Sequence, residues 1–353
     1  MGQMIEETKK RESERARNQS LPIEAIWTSD FTLFRFSAFP LYFSYHHRMS
    51  KHKHKNKNKK RIKNLTAKNA DKFDLYLRSV QEPLAEIDFF DRVYRAEFGK
   101  KAMLLREDFC AAAAVCCEWV RTHKDRKAVG YDLDEQTLQW GRDHNLCKLT
   151  EQEQQRVSLI KGDVRDASKE KAQIIAAENF SFFLFRTRDA LRDYFKSALK
   201  NLAPQGILVT DMMGGGDCMK EHNEDTRKIR IEKDGIVGIP YSKNVKPNDS
   251  PVYDKTSFKY IWEQDTFNPI THHGTYFIHF RFKDGTELSN AFRYDWRLWS
   301  IPEVRELMLE AGFSKADVYW EGPGKDGDGD GIYKKREKVE NDDVWIAYVV
   351  GVK

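Results

Sequence analysis

The end of the chain constrains its fold more than any other part. After "SIPEVRELMLEAGF" come two apolar segments, "ADVYWEG" and "VWIAYVVGV", with only a loop between them. Strands joined by a loop alone pair antiparallel, because a parallel return needs a long crossover, usually a helix. From residue 71 onward the earlier rhythm is different. Apolar runs at 101–106, 128–131, 156–163, within 173–185 and at 204–213 alternate with helical segments at 111–123, 135–146 and 187–202. Strands separated by helices at this spacing give βαβ units and a parallel sheet covered on both faces. A parallel sheet that closes on an antiparallel hairpin is one specific α/β architecture.

Local signals place the element ends. Asp134 is an N-cap for the helix starting at Glu135. Ser300 and Glu303 form a capping box, Pro302 stands in the first turn, and Gly312 closes that helix. The segment before the first strand has helical spacing through Ile87, Phe90 and Tyr94 and is expected to pack on the sheet, with Tyr76 as a candidate lid. Between the fifth strand and the last helix, "FKYIWEQD", "THHGTYFIHFRF" and "TELSNAFRYDW" alternate like antiparallel strands. Residues 214–299 therefore read as an inserted β cover over the crevice.

Residues 1–66 have no comparable pattern. The run "KHKHKNKNKKRIK" at 51–63 holds eight of the chain's 60 basic residues and no acid, so most of the formal charge of +5 belongs to this tail. A like-charge block of this kind is expected to be a solvated, disordered extension, with nuclear import or weak RNA contact as its functional reading. The remainder is not a nucleic-acid-binding surface. The aromatic run at 31–45 is shorter than the roughly 20 residues that span a bilayer. Met49 is a second candidate for the natural start. The cysteines Cys110, Cys116, Cys117, Cys147 and Cys218 form no CxxC pair, which points to a reduced, cytoplasmic compartment and away from zinc. "DGDGDGIYKKRE" at 326–337 fits a calcium-loop pattern, but a strand and a glycine-rich turn precede it where an entering helix belongs, so it reads as a flexible acidic loop.

The segments "LLREDFCAAAA", "VGYDLD", "IKGDV", "LAPQGILVTD" and "ELMLEAGF", in this order, resemble the class I S-adenosylmethionine-dependent methyltransferases. "DFC", "CCEWV", "NFSFFLFRTR", "FNPITH" and "YDWRLW" resemble a narrower group within that class. The resemblance covers residues 71–353 and implies a Rossmann-like, seven-stranded, mostly parallel sheet. It also implies S-adenosyl-L-methionine as cofactor, held by Glu107, Phe109, Cys110, Ala111, Asp132, Leu133, Asp163, Val164 and Asn179. Asp132 stands where a carboxylate accepts the ribose hydroxyls, with Asp134 as the alternative. Asp163 and the backbone of Val164 fall at the adenine edge, and Glu107 near the methionine ammonium.

In that class the first turn reads acid-x-Gly-x-Gly-x-Gly, and here Phe109, Ala111 and Ala113 occupy the glycine positions. Alanine is expected there only if φ stays negative and a methyl fits. Methyl transfer needs no obligatory catalytic motif; Tyr294, Asp295 and His272 are the catalytic candidates, and Tyr76, His273, Arg297 and Trp299 the substrate-binding ones. Tyr294, Asp295 and Arg297 are expected together near the pocket, since polar groups between tryptophans need partners if buried. Two function classes follow: a methyltransferase acting on a small molecule or peptide, or a methyltransferase-like interaction module whose cofactor turn is closed by the alanines.

Overall fold

The computed structural model describes residues 61–231, 235–236, 242–245, 252–253, 255–324 and 329–353. The aromatic run, Met49 and most of the basic run lie outside the described residues. The fold reaches back before residue 67: Leu65 is buried, and Arg61–Ile62 pairs with Val252–Tyr253, which also pairs with Gly235–Ile236.

Two helices precede the sheet, α1 (Lys72–Val80) and α2 (Pro83–Phe98), separated because Pro83 starts the second at its first turn. The parallel core is β1 (Leu104–Asp108), α3 (Ala114–Arg121), β2 (Lys127–Asp132), α4 (Glu135–His144), β3 (Val157–Lys161), β4 (Ala172–Ala177), α5 (Arg188–Asn201) and β5 (Leu202–Gly214). A four-stranded antiparallel sheet follows: β6 (Asn223–Ile231), β7 (Thr256–Asn268), β8 (His273–Arg281) and β9 (Glu287–Arg297), in the order β9-β8-β7-β6. The chain ends with α6 (Ile301–Ala311), β10 (Lys315–Pro323), β11 (Gly329–Lys335) and β12 (Trp345–Val352).

The main sheet has the order β11-β10-β12-β5-β4-β1-β2-β3. Strands β1 to β5 are parallel, and β12 runs antiparallel to both β5 and β10, as the closing segments require. The sheet has eight strands, not seven. The extra one, β11, forms within the expected acidic loop and pairs with β10 at the edge. It succeeds because Tyr333 is buried against Phe89 and Tyr348 and anchors an otherwise polar strand. Asp330, inside the calcium-loop pattern, accepts from the N–H groups of Gly322 and Ile332, while residues 325–328 lie outside the described residues.

The caps form where the sequence places them. Asp134 accepts from Gln136 N–H, and Ser300 and Glu303 cap each other reciprocally. Chain order reverses between β1 and β4: from β1 the chain winds toward β3, then crosses to β4 and β5. Ligands of open α/β sheets bind beyond the carboxyl ends of the strands at such a switch point. Among the described residues no helix is long and apolar enough to cross a membrane.

Candidate functional site

At the end of β1 the chain makes the turn that carries the alanines, and its backbone is not helical. Phe109, Ala111 and Ala113 have φ of 59°, 45° and 56°. The expectation that alanine keeps φ negative here is wrong, because neighbouring contacts hold the turn left-handed. Cys110 N–H donates to Tyr131 O, Ala111 N–H to Asp132 Oδ2 at 2.8 Å, and Asn145 Nδ2 to Ala112 O at 2.9 Å. Helix α4 can approach only because residue 141 is glycine: a Cβ there would lie 2.6 Å from the Ala112 carbonyl oxygen. Gly130 similarly makes room for Cys110, whose Sγ would meet a Cβ at 2.7 Å. Helix α3 therefore starts at Ala114, three residues later than its composition suggests.

Acids line the strand ends. Glu107, 4% exposed, accepts from Cys116 N–H at 2.9 Å, and burial pushes its carboxyl up to about 7. Asp132 ends β2 and is half-buried. One oxygen takes the Ala111 N–H and the other the Asp134 N–H, and burial raises its pKa. Leu133 beside it is 68% exposed. Asp163 is turned onto Arg165, whose guanidinium lies 2.6 Å away and holds the carboxyl below its usual range. Val164 is buried, and its carbonyl accepts from Arg106, a buried arginine in β1 that ties the β3 exit loop to the sheet.

Beyond β4, Asn179 and Phe180 are also left-handed, and both donate their N–H groups to Asp211, at 2.9 and 2.8 Å. Asp211 lies one residue past the last β4–β5 pair, Ala177 with Thr210. Glu178 precedes Asn179, and Glu86 comes from α2. Glu86, Glu107, Glu178 and Asp211 are all less than 8% exposed, and burial with mutual repulsion raises the pKa of Glu86 and Glu178. Tyr76 of α1 packs on Phe292, ring centroids 4.9 Å apart, with Tyr294 on the same face of β9, and burial pushes its phenol pKa up.

The remaining sequence candidates separate by strand alternation. Phe292, Tyr294 and Trp296 share one face of β9, so Arg293, Asp295 and Arg297 take the other. The expectation that Tyr294, Asp295 and Arg297 gather at one pocket is therefore incorrect. Asp295 pairs with Arg293 at 3.0 Å, and Arg297 pairs with Glu303 and stacks 3.8 Å over Trp299. Trp299 is core, donating from Nε1 to Phe185 O. His272 occupies a left-handed turn beside Phe267. His273 and Asp295 line a shallow cavity of about 320 Å³ with Arg186, Phe267 and Asn268, on the opposite face of β9 from Tyr294. Sequence reading missed Glu86, Glu178 and Asp211. The last two stand after buried apolar runs, "IIAA" and "ILVT", the same signal that marks Asp132.

No protein-family model matches the chain, and no curated protein matches its sequence. Solved structures do match. DesVI of Streptomyces venezuelae superposes with a TM-score of 0.55 at 16% identity, over 80% of this chain and 99% of that one. The chain has a methyltransferase fold. An S-adenosylmethionine-dependent methyltransferase of Clostridium acetobutylicum aligns at TM-score 0.53 and 14% identity, over 79% of this chain and 95% of that one. CalS10, an amino pentose methyltransferase of Micromonospora echinaspora solved with S-adenosylmethionine bound, aligns at 0.53 and 14%, over 81% and 99%.

Proposed function

We propose that this chain is an S-adenosylmethionine-dependent methyltransferase acting on a small molecule or peptide. The observation that carries the reading is the row of acids at successive strand ends, Glu107, Asp132 and Asp163, around a left-handed turn on a methyltransferase fold. The residues suit the cofactor. Each Asp132 oxygen already takes one N–H, and a carboxylate oxygen has a further lone pair for a ribose hydroxyl. The exposed Leu133 offers an apolar surface to the adenine face, and Glu107 supplies negative charge under the turn. Alternating left-handed residues also keep the backbone open to close approach where glycine would otherwise serve.

The cofactor supplies an electrophilic methyl group, so the protein's work is alignment and exclusion of water. In this reading the antiparallel sheet β6 to β9, with Trp296 packed on Phe180 at the β4 exit, is the cover of the crevice, and holding reactants in line contributes up to ~7–11 kcal/mol. The left-handed turn, with Ala111 only partly buried, favours cofactor binding over the competing reading, an interaction module whose turn the alanines close. The test is formation of S-adenosylhomocysteine from methyl-labelled S-adenosylmethionine in a mixed metabolite and peptide extract. Wild-type protein is expected to exceed Asp132→Ala by at least roughly tenfold, and equal rates would refute the proposal.

A further inference from the structure

Four carboxyl groups are buried together at the β1, β4 and β5 ends, and the described chain supplies no cation to meet them. Glu86, Glu107, Glu178 and Asp211 are 3, 4, 6 and 7% exposed. Glu107 and Asp211 accept backbone N–H groups, but Glu86 Oε2 and Glu178 Oε1 are buried with no hydrogen-bond partner. The hydroxyl of Tyr333, whose ring packs on Phe89 and Tyr348, is also buried and unpartnered. Among the described residues no lysine or arginine forms an ion pair with any of the four; Arg227 is engaged with Tyr260, 4.6 Å over its ring. Buried polar groups without partners are costly and persist where a ligand completes them.

From these unpartnered buried acids we infer that the methyl acceptor is an amine, bound as its ammonium ion by Glu178, with Glu86 and Asp211 adding negative charge nearby. The inference rests on the methyltransferase reading and names its substrate class. S-adenosylmethionine brings a net charge of only one, and Glu107, under the turn, is placed to meet it, so three acids remain for a second cation.

The step balances without a further reactant. The ammonium gives one proton to Glu178 Oε1, which burial already inclines to accept it. The freed lone pair forms the N–CH3 bond as the S–CH3 bond breaks, and the positive charge passes from sulfur to nitrogen. The product leaves as the N-methylated ammonium, and the proton on Glu178 returns to solvent as the site opens.

The test is the melting temperature of wild type and Glu178→Gln, with and without S-adenosylhomocysteine, in methylammonium chloride against sodium chloride at equal ionic strength. Methylammonium is expected to raise the melting temperature of the S-adenosylhomocysteine-bound wild type, with affinity for the ion falling roughly tenfold or more in Glu178→Gln. The same substitution is expected to raise the melting temperature of the unliganded protein, because it removes an unpaired buried acid from a like-charged group. A lower melting temperature for unliganded Glu178→Gln would make Glu178 a structural group and overturn the inference. Methylammonium behaving as sodium does, while S-adenosylhomocysteine still stabilises, would overturn the amine assignment alone. Absence of any S-adenosylhomocysteine shift would remove the methyltransferase reading beneath it.

Discussion

Replacing Ala111 by glycine should stabilise the ligand-free protein, although the surrounding sequence looks helical. At φ 45° the alanine Cβ crowds its own backbone, a conformation that costs an L-residue roughly 1–2 kcal/mol. Glycine removes that cost but gives the unfolded chain more freedom, worth about 0.4–1 kcal/mol in the other direction. The Ala111 side chain is only partly buried, so little packing is lost. The net gain is ~0.5–1 kcal/mol, a rise in Tm of about 1–3 °C for a domain of this size. The control is Ala114→Gly, three residues on. Ala114 is the first residue of α3 and 1% exposed, so that exchange loses a buried methyl and helix preference, about 1–2 kcal/mol together. Urea denaturation of both variants reads the two signs directly. A loss of stability in Ala111→Gly comparable to that in Ala114→Gly would refute the left-handed turn and restore a plain helix there.

Asp132→Ala is expected to weaken S-adenosylhomocysteine binding at least tenfold by calorimetry, and also to lower stability by ~1–2 kcal/mol, since the Ala111 and Asp134 N–H groups lose their acceptor. Unchanged affinity would remove Asp132 from the site. Gly141→Ala drives a Cβ into the Ala112 backbone, so it should cost ~1–3 kcal/mol by denaturation and weaken cofactor binding with it; wild-type behaviour would mean α4 does not grip the turn. Burial pushes Glu107 up to about 7 and Glu86 and Glu178 upward too, so these groups hold protons more tightly folded than unfolded. Their stabilisation is complete below the ordinary carboxylate range and is lost as pH rises through the raised values. The ligand-free protein should therefore melt lower at about pH 7 than at about pH 5. Lys148, pushed down to about 7 by burial, acts in the opposite sense only above that value; a flat or rising melting curve would contradict the buried acid group.

Much of the fold was legible because period and punctuation agree. Apolar runs at βαβ spacing give the parallel strands, a connection with no helical segment makes β10 and β12 antiparallel, and the Ser300–Glu303 box sets the start of α6. What the sequence hid depends on tertiary contact. Four consecutive alanines favour helix locally, yet Asp132, Asn145 and the space beside Gly141 hold the turn left-handed. Strand β11 carries one buried aromatic among glycines and charges, too weak a pattern to stand out. Asp295 and Arg297 could have been separated from Tyr294 by counting alternate residues along β9. Glu86 was visible in principle, since it shares a helix face with Phe90 and Val93, and an acid on an apolar face calls for a partner.

In the proposed function, the crevice at the β1 to β3 ends binds the methyl donor. Isothermal titration of the wild-type chain with S-adenosylhomocysteine tests it most directly, with the Asp132→Ala variant alongside. Saturable binding at one site is expected, and a ligand at about 100 times its Kd should add about 2.7 kcal/mol to unfolding stability. No heat and no stabilisation with folded wild-type protein would contradict it.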